Sequence, residues 1–411
     1  MARLRTLLIA LLTVVGLGVA ACAAPSRAEQ PDFQAWLQDL RREAAAAGIS
    51  QATLDAALSD VSPIERVIEL DRRQPEYTQT FWSYLDKRVT PERIARGREL
   101  LVQHRALLAR VQARYGVQPR FLVAFWGLET NFGQYTGGYP VVGALATLAY
   151  DERRGDFFRK ELLNALRILD EGNVTPSAMQ GSWAGAMGQL QFMPSTFVHY
   201  AVDFDGDGKR DIWNSLPDVF ASAANYLSSI GWRGDLIWGR EVRLPQDFDW
   251  EMAAQEVRKP VSAWAALGVR RADGGPLPQA DIEGSIVLPA GHTGPAFLVY
   301  DNFEAILTWN RSLLYALSVG HLADRLVGAG DFLAQRPAEE KPLSRGEVEE
   351  MQNLLVRLGF DPGTPDGVIG AKTRAALRAF QRGRRLAPDG YPTPEVLQVL
   401  RDAAQQGSGA G

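Results

Sequence analysis

Phe121-Leu122-Val123-Ala124-Phe125-Trp126-Gly127-Leu128-Glu129-Thr130-Asn131-Phe132-Gly133 is a nearly unbroken apolar run that stops at one carboxylate. The run is too short to span a bilayer and reads as a helix buried on most faces, with Phe125 and Trp126 one turn before the acid. Glu129 therefore starts out desolvated. Desolvation disfavours the charged form, and the raised pKa that follows is what a general acid needs near neutral pH. The other reading is an N-cap or a paired structural acid at a helix end marked by Thr130-Asn131. Spacing alone leaves the two level.

Outward from this stretch, the chain of 411 residues has ordinary apolar and charged fractions, a net charge of -4 and a single Cys. The length suits several domains. No basic stripe or RNA-binding signature marks it for nucleic acid. One Cys excludes an internal disulfide framework and a Cys metal cluster. That Cys ends a secretory signal: Arg3 and Arg5 precede an apolar run from Leu7 to Ala21, closed by Val19-Ala20-Ala21-Cys22 and the small residues Ala23 and Ala24. The closing tetrad resembles the lipobox of bacterial lipoproteins, which implies that residues 1–22 are removed up to an acylated Cys22. Ala23 next in line then implies an outer membrane. Soluble export by cleavage after Ser26-Arg27-Ala28 is the alternative. No later segment is long and apolar enough to span a membrane.

From Asp32 to Tyr115 the chain reads as helices. Phe33, Trp36, Leu37 and Leu40 share helical spacing, Ser50 caps a second segment, and Thr90-Pro91 opens a long amphipathic helix from Ile94 to Tyr115. Beyond Gly133, a small-residue helix spans Val142 to Tyr150 and an amphipathic one spans Phe157 to Leu169. Between those two, Asp151-Glu152-Arg153-Arg154 reads as a solvated, self-paired turn. The run from Gly181 to Pro194 is rich in Gly and Ala, with Ser182, Gln191 and aromatics interspersed. That composition suits a sugar cleft, where hydroxyls are bonded and an apolar ring face is stacked. It suits a tightly packed helix pair equally well.

Asp203-Phe204-Asp205-Gly206-Asp207-Gly208-Lys209-Arg210-Asp211 matches the calcium loop of an EF-hand, with Asp203, Asp205, Asp207, Lys209 and Asp211 at positions one, three, five, seven and nine. Position twelve is Asn214 rather than Glu, and Asp218 on the following helix is the candidate to close the site. An acidic turn without metal is the competing reading. Residues 240–299 alternate or run apolar like short strands around an Asp273-Gly274-Gly275 turn, and helix resumes from Ile306 to Leu326. A polar linker at 334–342 leads to residues 343–403, where Val348, Met351, Leu354, Leu355 and Leu358 form one helical face. A loose tail is expected at 404–411.

Gly127-Leu128-Glu129-Thr130-Asn131-Phe132-Gly133, Ala144 to Tyr150, Gly185-Ala186-Met187-Gly188, Gln191-Phe192-Met193-Pro194 and Asp301-Asn302-Phe303 together resemble the membrane-bound lytic murein transglycosylase B family over about 31–333. Asp366-Gly367-x-x-Gly370-x-x-Thr373 with Phe380-Gln381 resembles the peptidoglycan-binding module with a three-helix core. The resemblance implies a mainly α (α+β) chain: a lysozyme-like helical catalytic core with an EF-hand-like loop and a small β region, then the module. It places Glu129 at the catalytic acid, and Tyr84, Ser182, Gln191, Tyr226, Trp309, Asn310 and Tyr315 at substrate-binding positions. Trp309 departs from the tyrosine found there in the best-known member, which keeps the stack and puts a hydroxyl bond in question.

Ordinary glycosidases need two carboxylates, and Asp151, Glu152 and Asp156 are the candidates for a second. The family reaction needs one. There the protonated acid serves the glycosidic oxygen, the 2-acetamido group shields the cation-like centre, and the carboxylate then takes the proton of the sugar's own 6-hydroxyl, so the ring closes as a 1,6-anhydro-N-acetylmuramoyl end without water. The implied partners are peptidoglycan strands, a membrane reached through the lipid anchor, and other cell-wall enzymes. Calcium is the one cofactor expected. A lysozyme-type hydrolase and a non-catalytic wall-binding lipoprotein are the alternatives.

Overall fold

The computed structural model describes residues 32–73, 79–338 and 341–408, so Cys22 and the expected signal lie outside the described residues, as does the end of the expected tail. The Glu129 helix runs Pro119–Thr130, opened by a proline at its first turn, where the missing N–H costs nothing. Phe121 to Leu128 are all buried. At ~1.5–3 kcal/mol for each large apolar side chain removed from water, this one helix nucleates the core. Asn131 ends it in the left-handed region at φ 50°, which places Glu129 in the last turn.

Around it pack Pro91–Gln103 and Leu313–Leu326, while Val141–Tyr150 lies along Gly155–Asp170 to form a second helical layer. Two of the expected helices are broken. The long helix from Ile94 splits at His104, whose backbone leaves helical geometry at φ -103°, ψ 17° and whose ring packs 6.2 Å from Trp126 and 6.1 Å from Phe220. The helix expected from Ile306 to Leu326 is likewise two, Asp301–Trp309 and Leu313–Leu326, separated at Asn310 to Ser312. Apolar periodicity runs through both breaks, so the pattern gave no warning.

The strand-like region forms a five-stranded antiparallel sheet in the order Lys259–Pro260, Glu283–Val287, Ala296–Val299, Gly239–Arg243, Arg270–Arg271. Val299 pairs with both Ser285 and Gly239. The sheet covers its own cluster of Trp264, Ile286, Leu298 and Tyr300. The Asp273 turn forms as its composition predicts, with Gly275 N–H on Asp273 Oδ1 at 3.0 Å.

Arg345–Arg357, Ala371–Gly383 and Pro394–Ser408 enclose a separate core of Met351, Leu355, Leu377, Phe380, Leu397 and Leu400. Buried Gln352 ties the Asp366 loop to it, accepting Asp366 and Gly367 N–H at 2.9 Å each and donating to Val368 O at 2.9 Å. Residues 404–408, expected in a loose tail, are helical instead. Ala403 and Ala404 belong to this core, and their burial carries the helix on to Ser408. Asp389 joins the three helices to the sheet region by accepting His292 N–H at 2.9 Å and His292 Nδ1 at 2.7 Å, and Arg382 pairs with Glu251.

Candidate active site

Glu129 Oε1 accepts the Trp309 indole N–H at 2.8 Å and the Tyr315 hydroxyl. The two donors flank the break at residues 310–312. Trp309 is the last residue of its helix, and Tyr315 sits in the first turn of the next, its N–H on the Ser312 hydroxyl at 3.3 Å. Asn310 is exposed and braces this turn through Ser312 N–H at 3.1 Å. Burial first, and the Glu129 charge next, push the Tyr315 phenol well above its usual range, so it stays protonated and donating. Tyr84 is buried on the helix Phe81–Arg88, and the Arg88 guanidinium lies 5.2 Å over its ring. Both act on the Tyr315 phenol, Tyr84 raising it and Arg88 opposing.

The Trp309 ring packs 4.5 Å from Phe125, 5.2 Å from Tyr226 and 5.3 Å from Phe192. Tyr226 in turn stacks on Tyr200 at 4.5 Å. Burial, with Tyr200 beside it, holds the Tyr226 hydroxyl above its ordinary value and therefore protonated. Tyr200 carries no signal in the sequence, because it meets Tyr226 only where two helices cross.

The Gly-rich stretch is a folded loop rather than a helix pair, with single bridges from Met187 to Gly181 and to Phe192. Ser182 Oγ accepts the Ala186 N–H at 3.0 Å and the Ala184 N–H at 3.3 Å. Gln191, at φ 51°, donates its amide to Thr136 O at 2.9 Å and Gly188 O at 3.0 Å. Both side chains therefore brace this wall, and the loop from Gly133 to Gly138 closes on it: a Cβ on Gly137 would lie 2.0 Å from Gly181 O. Gln189, which the sequence did not single out, locks the wall to the Glu129 helix. Its side chain accepts Trp126 Nε1–H at 2.7 Å and donates to Trp213 O at 2.8 Å, and its carbonyl accepts the Thr130 hydroxyl at 2.9 Å.

In the acidic loop, Asp203, Asp205 and Asp218 each bring an oxygen within 4.8 Å of the others. Asp218 is fully buried and accepts Phe204 N–H at 2.7 Å and Asp211 N–H at 2.8 Å. Burial nevertheless pushes its carboxyl above the usual range, which those two bonds oppose. A buried acid beside two more carboxylates is a donor set for a hard cation. Asp207 and Asp211 stand outside the convergent trio. Asp207 takes Lys209 N–H at 2.9 Å, and Asp211 takes Trp213 and Asn214 N–H at 2.8 and 2.9 Å.

The charged turn at 151–154 reaches beyond itself for partners. Arg153 and Arg154 both bond Asp71, which is 2% exposed, while Asp151 lies 3.7 Å from Arg72. Asp71 is the buried member of these pairs, and two guanidiniums offset the cost of burying its charge.

The transglycosylase SLT domain family matches residues 32–324, and the peptidoglycan binding domain matches residues 344–400. The chain is 31% identical over 290 residues to membrane-bound lytic murein transglycosylase B of Escherichia coli (strain K12), covering 67% of this chain and 78% of that protein. It is similar to the crystal structure of SltB3 from Pseudomonas aeruginosa in complex with NAG-anhNAM-pentapeptide, with a TM-score of 0.87, 49% identity, and coverage of 90% of this chain and 99% of that one. A further likeness is to the Escherichia coli lytic transglycosylase Slt35 in complex with calcium, with a TM-score of 0.61, 28% identity, and coverage of 74% and 94%. The chain thus belongs to the transglycosylase SLT domain family and is a lytic transglycosylase of peptidoglycan.

Proposed function

We propose that Glu129 is the acid and then the base of a non-hydrolytic cleavage of the MurNAc–GlcNAc β-1,4 bond. The protonated carboxyl gives its proton to the glycosidic oxygen as the C1–O4 bond breaks. The carboxylate then accepts the proton of the 6-hydroxyl while O6 bonds to C1, which restores the acid and leaves a 1,6-anhydro end. Water takes no part. The observation that carries this reading is the Glu129 carboxyl held at the last turn of a buried helix by Trp309 and Tyr315, inside a wall of sugar-sized aromatic faces. Tyr84, Tyr226, Trp309 and Tyr315 line the sugar in this reading, with Ser182, Gln191 and Asn310 shaping the loops beside it. The SltB3 complex with NAG-anhNAM-pentapeptide supports the same product class.

Digestion of purified sacculi in labelled water tests it. Muropeptides lighter than hydrolytic ends by one water, free of label, are expected, and label in the new ends would make the protein a lysozyme-type hydrolase. Glu129→Gln should lower turnover by ~10²- to 10⁴-fold, the usual contribution of a general acid–base group, with sacculus binding retained.

Calcium fits the loop as a structural ion, held by Asp203, Asp205 and Asp218, with Asp207, Asp211 and the Lys209 carbonyl completing the set when it is bound. Its charge would offset the crowding of those carboxylates. The C-terminal helices would hold the enzyme on the polymer, raising its effective concentration there. The exported chain would be anchored to the outer membrane through Cys22. No helix among the described residues is long and apolar enough to cross a membrane, so retention in this reading depends on the acyl chains. Cys22→Ala should release the protein from membranes or block its maturation, and an unlipidated Cys22 on the membrane-bound wild type would refute the anchor.

A further inference from the structure

A carboxylate oxygen offers two lone pairs, and at Glu129 Oε1 both are met, one by the Trp309 N–H at 2.8 Å and one by the Tyr315 hydroxyl. An indole nitrogen only donates and has no way to turn and accept. A proton placed on Oε1 would cost one of these two donated bonds, because the Tyr315 hydroxyl would have to turn and accept while the indole could not. We propose that Trp309 is a positioning residue which, with Tyr315, anchors the Glu129 carboxylate through Oε1 and favours its ionised form. This rests on Glu129 being the acid and base, and goes beyond the role of Trp309 as a stacking face.

The aim of the N–H is set by packing from several elements. Phe125 holds the ring from the Glu129 helix, Phe192 from the Gly-rich loop, and Tyr226 from the helix Leu216–Ser229. The Trp309 ring is thus wedged on several sides and its edge is turned to the acid. Among the described residues, the ionisable groups around the pair include Tyr315 on its own helix, Tyr84 and Arg88 on Phe81–Arg88, and Tyr226. All remain when the indole N–H is removed, so a change in pH dependence on its removal reports the bond to Glu129.

Two replacements separate the donor from the ring. Trp309→Phe keeps an aromatic face, and 3-benzothienylalanine incorporated at position 309 keeps the bicyclic shape with sulfur in place of N–H. Losing a hydrogen bond to a charged group should lower kcat roughly 10- to 100-fold. KM on a soluble glycan fragment should hold near the wild-type value. The ionised carboxylate loses a donor, so the alkaline limb of kcat/KM should move up by about one pH unit. Melting curves show whether each variant is folded, and the isostere decides if the phenylalanine variant is not. A benzothienyl enzyme with wild-type kcat and an unmoved alkaline limb overturns the proposal, as does a rise in KM alone, which would leave Trp309 a stacking face. Glu129→Gln run beside them separates the two layers. Its retained turnover would sink the reading of Glu129 itself, whereas its inactivity beside an unaffected isostere sinks only the role of Trp309.

Discussion

Acidification should destabilise this enzyme through one buried imidazole. His321 lies on the helix Leu313–Leu326 with Tyr315, is 3% exposed, stacks on Phe332 at 3.9 Å and has Nε2 3.1 Å from Asp331 Oδ1. Burial pushes the ring from 6.5 down to about 4; Asp331 opposes this, and Arg325 and Arg336 add to it. The unfolded chain therefore binds a proton near 6.5 that the folded chain refuses until about 4. Between those values the unfolded state holds more protons, so stability falls as pH drops through the window and is fully present above it. At ~1.4 kcal/mol per pH unit the gap is worth ~3 kcal/mol, a large share of the ~5–15 kcal/mol that holds a typical protein folded. Urea unfolding between pH 7 and 4, followed by the near-ultraviolet signal of the catalytic region, measures it. Partly buried carboxyls that burial raises, such as Glu241, Glu304 and Asp324, add their own pH dependence. They are common to wild type and His321→Phe, so the difference in slope isolates the imidazole. His321→Phe should lose about 3 kcal/mol less than wild type across the window. Equal slopes in the two proteins would mean that His321 protonates freely in the folded state, and the argument from burial would fail.

Calcium should raise the melting temperature of the wild type, by ~1.4 kcal/mol of stability at ten times a Kd of ~10⁻⁴–10⁻³ M. Asp203→Ala with Asp205→Ala should abolish that response and Asp207→Ala only weaken it, because Asp207 stands outside the convergent trio; a melting curve unmoved up to millimolar calcium makes the loop a bare acidic turn. Deleting residues 343–411 should weaken retention on whole sacculi while short glycan fragments are cleaved at similar rates, since Glu129 and its donors all lie upstream. Loss of turnover on fragments would show that the His292–Asp389 junction helps shape the cleft.

What the sequence determined by itself is what short-range chemistry dictates. The Glu129 helix is legible because Pro119 opens it, a continuous apolar run fills it, and Asn131 accepts the left-handed turn that ends it. The acidic loop and the Asp366 turn are legible for the same reason: their bonds join residues a few positions apart, so spacing alone encodes them. Tertiary structure decided the rest. No proline or glycine marks the breaks at His104 and Asn310, and the Ser312 cap is a weak signal, yet the second break is what delivers an indole and a phenol to a carboxylate 180 and 186 positions away. Arg153 and Arg154 reach Asp71, 82 and 83 residues distant, a buried carboxylate that local spacing does not announce. Gln189 and Tyr200 acquire their partners only where a loop and two helices meet. A bond within a turn is set by backbone geometry that a few residues determine, whereas a bond between distant segments exists only once the packing of whole helices has fixed where their ends lie.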